Sequence, residues 1–165
     1  MLMDGFTRTE IQTSGARIVT VHGGSGPPVL LMHGNPFTHL SWHKFAPRLA
    51  QEFTVVATDL RGYGDSEKPP SLPDHSSYSF RAMAQDQVEV MKALGFDRFM
   101  AAGHDRGARV LHRMCLDHPD KVIRAAIMAG GVEAIEAERG HHLDLVLRHG
   151  AERIARMIVP AGRLL

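Results

Sequence analysis

Asp105 is the residue of this chain best placed to do chemistry. It sits in Gly103-His104-Asp105-Arg106-Gly107, directly after the apolar stretch 99–102 and before a helix-like run from Ala108 to His118. The two glycines let the backbone pass through a sharp strand-to-helix turn, where a side chain at either position would collide with neighbouring backbone. Such a nucleophile elbow presents its central side chain to solvent, and a carboxylate held there can attack carbon to give an ester. Two guanidiniums follow. Arg106 and Arg109 stand at i and i+3 at the start of the helix, where they can share one face, and the helix N-terminus adds its own positive end. The planar fork of arginine pairs with a carboxylate through parallel charge-assisted hydrogen bonds, so this pair predicts an anionic substrate. The alternative is that both arginines pair with Asp86, Asp117 or other acids of the surface.

The elements that must position these groups are readable from hydrophobic patterning. Residues 9–13 and 17–22 alternate polar and apolar around Ser14-Gly15, which predicts an antiparallel hairpin. The runs 28–32 and 53–58 are continuously apolar or β-branched, which suits strands buried on both faces, as do 98–102 and 122–128. Between them, 40–51 places Trp42, Phe45 and Leu49 at helical spacing, and 79–94 does the same with Phe80, Met83, Val88, Met91 and Leu94 before Gly95 stops the helix. Strands alternating with such helices predict an α/β fold with a mostly parallel sheet, helices on both faces and ligands beyond the carboxyl ends of the strands. His33, Asp59 and Asp105 all fall at such ends. The segment 61–77, rich in Gly, Pro and Ser, reads as a long surface loop within one domain.

Composition narrows the partners. The chain has 165 residues, 44% of them hydrophobic, and its 19 basic and 18 acidic side chains leave a net charge of +1 without a basic tract. Nucleic acid and anionic membrane surfaces are therefore not expected, and a small molecule is. No apolar run approaches the roughly 20 residues that span a bilayer. The lone Cys115 and the absence of an apolar signal core in 1–13 fit a reducing cytoplasm. No His, Cys, Asp or Glu cluster has metal-site spacing, and His141 and His142 would diverge on a helix, so neither metal nor cofactor is expected. Cys115 reads as a small buried apolar residue, and Trp42 as core.

Ordered blocks then carry a specific likeness: His33-Gly34-Asn35-Pro36, Asp59-Leu60-Arg61-Gly62-Tyr63-Gly64, Tyr78-Ser79-Phe80-Arg81-Ala82-Met83-Ala84, and Asp105-Arg106-Gly107-Ala108-Arg109. With them the chain resembles the α/β-hydrolases and, within that fold, the haloacetate (fluoroacetate) dehalogenases. Related epoxide hydrolases and haloalkane dehalogenases usually carry tryptophan after the nucleophile, where this chain has Arg106. The resemblance implies that Asp105 displaces halide from a small 2-haloacid and that water then cleaves the enzyme ester. It implies that Arg106 and Arg109 bind the substrate carboxylate, and that the backbone N–H groups of Asn35 and Arg106 form the oxyanion hole. His33 then braces the loop rather than transferring protons, with Gly34, Gly103 and Gly107 as structural residues near the site. His104 is expected to pack, and Asp59 and Arg61 to tie neighbouring loops together. Asn35 departs from the family's more usual phenylalanine, which keeps a backbone donor but changes the pocket wall.

The resemblance also implies a late general-base histidine, an acid to orient it and a cap that holds the halide, and none follows the strand 122–128, where Ala129-Gly130-Gly131 stands in place of the acid. On this reading residues 1–130 are the N-terminal part of an α/β-hydrolase core, with the cap and C-terminal strands missing, and 131–165 form an atypical tail. A frame shift near Met128 would account for the change, since permitted codons for 141–148 read one base later give an aromatic string similar to the family's cap. The other reading is a genuine helix over 132–158 that covers the last strand, and tail histidines His141, His142 or His149 that approach Asp105 are a remote variant. Function is thus read as haloacid dehalogenation, with an epoxide hydrolase or a noncatalytic carboxylate-binding fragment as alternatives. The expected partner is a haloacid, and a homodimer stays open.

Overall fold

The computed structural model describes residues 3–128 and the backbone of Val146–Leu147. The tail histidines and most of both the proposed frame-shifted stretch and the proposed tail helix lie outside the described residues. The strands are β1 (Thr7–Gln12), β2 (Arg17–Gly23), β3 (Pro28–Met32), β4 (Thr54–Thr58), β5 (Phe99–His104), β6 (Val122–Met128) and β7 (Val146–Leu147). They form one sheet in the order β1-β2-β4-β3-β5-β6-β7. β1 pairs antiparallel with β2, and β2 with β4, whereas β3, β4, β5, β6 and β7 pair in parallel. Because Val146–Leu147 is extended beside Ala126 and Ile127, the helix expected over 132–158 is not continuous there. A strand adding to the edge of β6 satisfies ladder groups that an overlying helix would leave open.

The continuous apolar runs have the predicted cause. Side chains alternate across a strand, so each run feeds two cores. Leu30, Met32, Val56, Ala101, Ala125 and Ile127 pack on one face with Met83, Val90 and Met91 of α2 (Phe80–Ala93) and Val110, Leu111 and Met114 of α3 (Arg106–Asp117). Val29, Leu31, Val55, Ala57, Met100, Ala102 and Ala126 pack on the other with Trp42, Ala46 and Leu49.

α2 has both its ends specified locally. The Ser79 side chain accepts from the Ala82 N–H at the N-cap. At the other end Gly95 takes a φ of +88°, and the N–H groups of Gly95 and Phe96 donate to the carbonyls of Lys92 and Met91. This is a Schellman stop, and the left-handed residue is glycine because a Cβ is disfavoured there. The helix expected over 40–51 is instead a 3-10 turn (His39–Trp42) followed by one turn of helix, α1 (Ala46–Leu49). Pro47 is the reason: inside a longer helix its ring would clash with the carbonyl four residues back, whereas near a helix start its missing N–H costs nothing. Trp42 and Leu49 still reach the core.

The segment 61–77 is not wholly surface. Arg61 and Ser66 are buried, and Tyr63 packs against the core. Cys115 is half-buried against the same core, and burial pushes its thiol up to about 11. Among the described residues no helix is long and apolar enough to cross a membrane.

Candidate active site

The elbow places Asp105 between the end of β5 and the first turn of α3, with φ +49° and ψ −110°. A non-glycine residue is strained in that conformation, and the surroundings hold it there. The Asp105 N–H donates to the Met128 carbonyl at 3.2 Å, and the Gly107 N–H to the His33 carbonyl at 3.0 Å. Three glycines permit the close approach. A Cβ on Gly103 would collide with the backbone of Gly107, one on Gly107 with the carbonyls of Met32 and His33, and one on Gly34 would meet Asp105 Cβ and His104 Nδ1 at 2.7 and 2.9 Å.

Asp105's two carboxylate oxygens are not equivalent. Oδ1 accepts the Asn35 N–H at 2.9 Å. That bond is the leading reason the carboxyl sits below its ordinary range; desolvation opposes it, while the Arg106 N–H and the charges of His104 and Arg109 add to it. Hydrogen bonds to the ionised form favour that form. His104, expected to pack, is half-buried and lies against Gly34, close enough for its charge to act on Asp105. The Asn35–Pro36 peptide is cis. Beyond it an open hollow is lined by Pro36, Phe37, Thr38, Leu40, Ser41 and His43.

The acids offered as alternative partners for the arginines are occupied elsewhere. Asp86 pairs with Arg61, and Asp117 with Arg81 and Arg113. Arg106 has no acid partner among the described residues. Its guanidinium carbon lies 5.8 Å from the centroids of both Tyr63 and Phe80, and its Nε is buried without a hydrogen-bond acceptor. A buried donor without an acceptor is rare in a folded protein and requires an explanation. Arg109 is exposed one turn further along α3.

His33 is fully buried at the end of β3. Its Nε2 accepts the Leu60 N–H at 3.0 Å, so its Nδ1 carries the proton donated to the Gly34 carbonyl at 2.8 Å. Burial lowers its pKa, with the Gly34 bond and the Asp59 charge opposing. This neutral ring joins the β3 loop to the β4 loop and is not hydrogen-bonded to Asp105. Asp59 works similarly: Oδ1 accepts from the backbone and ring of His39, and Oδ2 from the Asp65 N–H. Two positions were not singled out in the sequence. His39 becomes the partner of Asp59, and Tyr63 donates its hydroxyl to Asn35 Oδ1 at 3.0 Å while its ring faces Arg106. The Asp59–Gly64 block marked the loop but not which of its side chains reaches the site. No group of three metal-ligating side chains gathers among the described residues.

A strand-ended elbow, a backbone donor from the loop after β3 and a mixed sheet with parallel strands at its centre define a class. The chain belongs to the alpha/beta hydrolase fold family, whose model matches residues 27–157. Among curated proteins, it is 54% identical over 127 residues to a fluoroacetate dehalogenase of Burkholderia sp, covering 77% of this chain and 42% of that protein. It is 39% identical over 122 residues to a soluble epoxide hydrolase of Corynebacterium sp. (strain C12), covering 74% of this chain and 41% of the relative. Among solved structures, an alpha/beta hydrolase of Nostoc sp PCC 7120 superposes with a TM-score of 0.76 at 58% identity, covering 78% of this chain and 44% of that one. The chain thus spans about two fifths of the length of the curated relatives it matches.

Proposed function

We propose that the chain carries the nucleophile and anion-binding half of a haloacid dehalogenase, acting on a small 2-haloacid such as haloacetate. The observation that carries this reading is Asp105, its carboxyl held below the ordinary range on its elbow, beside an Arg106 guanidinium that packs on Tyr63 and Phe80 and has no acid partner among the described residues. A substrate carboxylate pairs with the terminal Nη groups of that guanidinium, the fork that recognises carboxylates. With the acid held there, Asp105 Oδ2 attacks the halogen-bearing carbon. The new C–O bond forms as the carbon–halogen bond breaks, and halide leaves with the electron pair. Oδ1 becomes the carbonyl oxygen of the ester and already accepts the Asn35 N–H, while the Arg106 N–H acts on the same carboxylate. These donors then hold the negative charge that develops when water adds to the ester carbonyl, which is transition-state stabilisation by preorganised dipoles. Cleavage also needs an activated water, and no histidine among the described residues hydrogen-bonds to Asp105.

The second reading is epoxide hydrolysis by the same nucleophile, favoured by the likeness to the Corynebacterium enzyme. A neutral epoxide has no negative charge to pair with the Arg106 guanidinium, which places it second. Incubation of this chain with chloroacetate decides between them. The expected result is a carboxymethyl ester on Asp105 by mass spectrometry, absent in Asp105→Asn, with no adduct from a neutral epoxide. An adduct from the epoxide alone would transfer the assignment to epoxide hydrolysis. Carboxylate binding without any ester would make the chain a binding fragment.

A further inference from the structure

Tyr63 is the side chain at which the separate parts of the site meet. It stands in the loop after β4 between Gly62 and Gly64, both at positive φ, and its backbone is pinned by bonds from its own N–H to the Leu60 carbonyl and from the Ser66 N–H to its carbonyl. Three contacts radiate from this fixed point. The ring packs edge-on against buried His33, with centroids 5.1 Å apart and planes at 69°. Its face meets the Arg106 guanidinium at 5.8 Å. Its hydroxyl donates to Asn35 Oδ1 at 3.0 Å, on the residue whose N–H holds Asp105.

Each contact has a different physical consequence. A guanidinium over an aromatic face is attracted by the ring quadrupole and loses freedom to swing, so less ordering cost remains when an anion binds. The hydroxyl bond restrains the Asn35 side chain and with it the peptide that donates to Oδ1. We infer that Tyr63 is a positioning residue that aligns the anion-binding Arg106 and the Asn35 donor of the nucleophile at once, the ring acting on substrate affinity and the hydroxyl on the rate of attack. It touches neither substrate nor reacting atoms. This rests on the dehalogenase reading above, and it separates two properties that a merely structural tyrosine would move together.

The test measures ester formation on Asp105 against chloroacetate concentration in wild type, Tyr63→Phe and Tyr63→Leu, with acetate affinity by NMR titration in parallel. Circular dichroism and urea unfolding check that each variant is folded. Tyr63→Phe keeps the ring: half-saturation and acetate affinity stay within about twofold while the limiting rate falls about fivefold, the size of one net hydrogen bond. Tyr63→Leu loses both contacts: acetate affinity also weakens, by about fivefold or more. Unchanged acetate affinity in folded Tyr63→Leu, or equal losses of rate and affinity in Tyr63→Phe, overturns the inference. If wild type binds acetate but forms no ester, the dehalogenase chemistry fails, and weakened acetate binding in Tyr63→Leu still upholds the role of the ring. If wild type binds no acetate, both proposals fall.

Discussion

Arg61, in the loop after β4, and Arg106, packed against Tyr63 of that loop, have opposite environments. Arg61 is buried with every guanidinium nitrogen bonded: Nε and Nη2 grip Asp86 at 2.6 and 2.7 Å, Nη1 donates to the Ser77 carbonyl and Nη2 also to that of Ala82. The Thr13 hydroxyl reaches the same carboxylate, and a Cβ on Gly15 would collide with the Arg61 guanidinium. That cluster ties the β1–β2 hairpin, the loop after β4 and α2 into one unit. Arg106 has aromatic faces instead of acids, and its Nε has no acceptor. One cation is paired by the fold, and the other has no acid partner among the described residues, as the proposed binding of a substrate carboxylate requires. On the proposed reading, an arginine's remaining hydrogen-bond capacity, rather than its presence beside a nucleophile, marks it for binding.

Removing the acid from the buried pair should have the largest effect. Asp86→Ala strands a buried guanidinium, and urea unfolding is expected to show a loss of about 3–5 kcal/mol, because an uncompensated buried charge is costly. If stability fell by less than about 1 kcal/mol, Arg61 would be no more committed to the fold than Arg106, and the contrast would break. Arg106→Gln should do the reverse. Chloroacetate half-saturation is expected to rise about 10- to 100-fold, the usual range for a hydrogen bond to a charged group, with the urea midpoint nearly unmoved. A variant that lost stability but not affinity would show Arg106 to be structural after all. The smallest effect is in the pH profile. Asp105's pKa is lowered, first by the Asn35 N–H, so ester formation should hold level as pH falls through the ordinary carboxylate range and decline only below it. An acid limb at or above the ordinary value would mean that the donor does not hold the ionised form.

Much of the frame was legible because its signals are local. β3 and β6 run over Pro28–Met32 and Val122–Met128, as their largely apolar character predicted, although β6 carries Arg124 and exposes Ile123. The ends of α2 followed from Ser79 and Gly95, and the tight turn at Asp105 from Gly103 and Gly107. The long helix over 40–51 failed on a local signal that the apolar spacing concealed, the ring of Pro47. The loop after β4 failed differently. Its Gly-rich composition suggested surface, yet it buries Arg61 and brings Tyr63 to the site, and no periodicity inside a loop reports what packs above it.

What the sequence determined by itself was the order of strands and helices, the elbow and the identity of its carboxylate, since each follows from sterics and burial among residues a few positions apart. Only the tertiary structure decided which arginine is spent and which is free. Arg61 and Asp86 are 25 residues apart along the chain, and their pairing depends on the packing of α2 against the loop after β4. Electrostatic partners are chosen by distance in space, and a linear pattern of charges does not contain that distance.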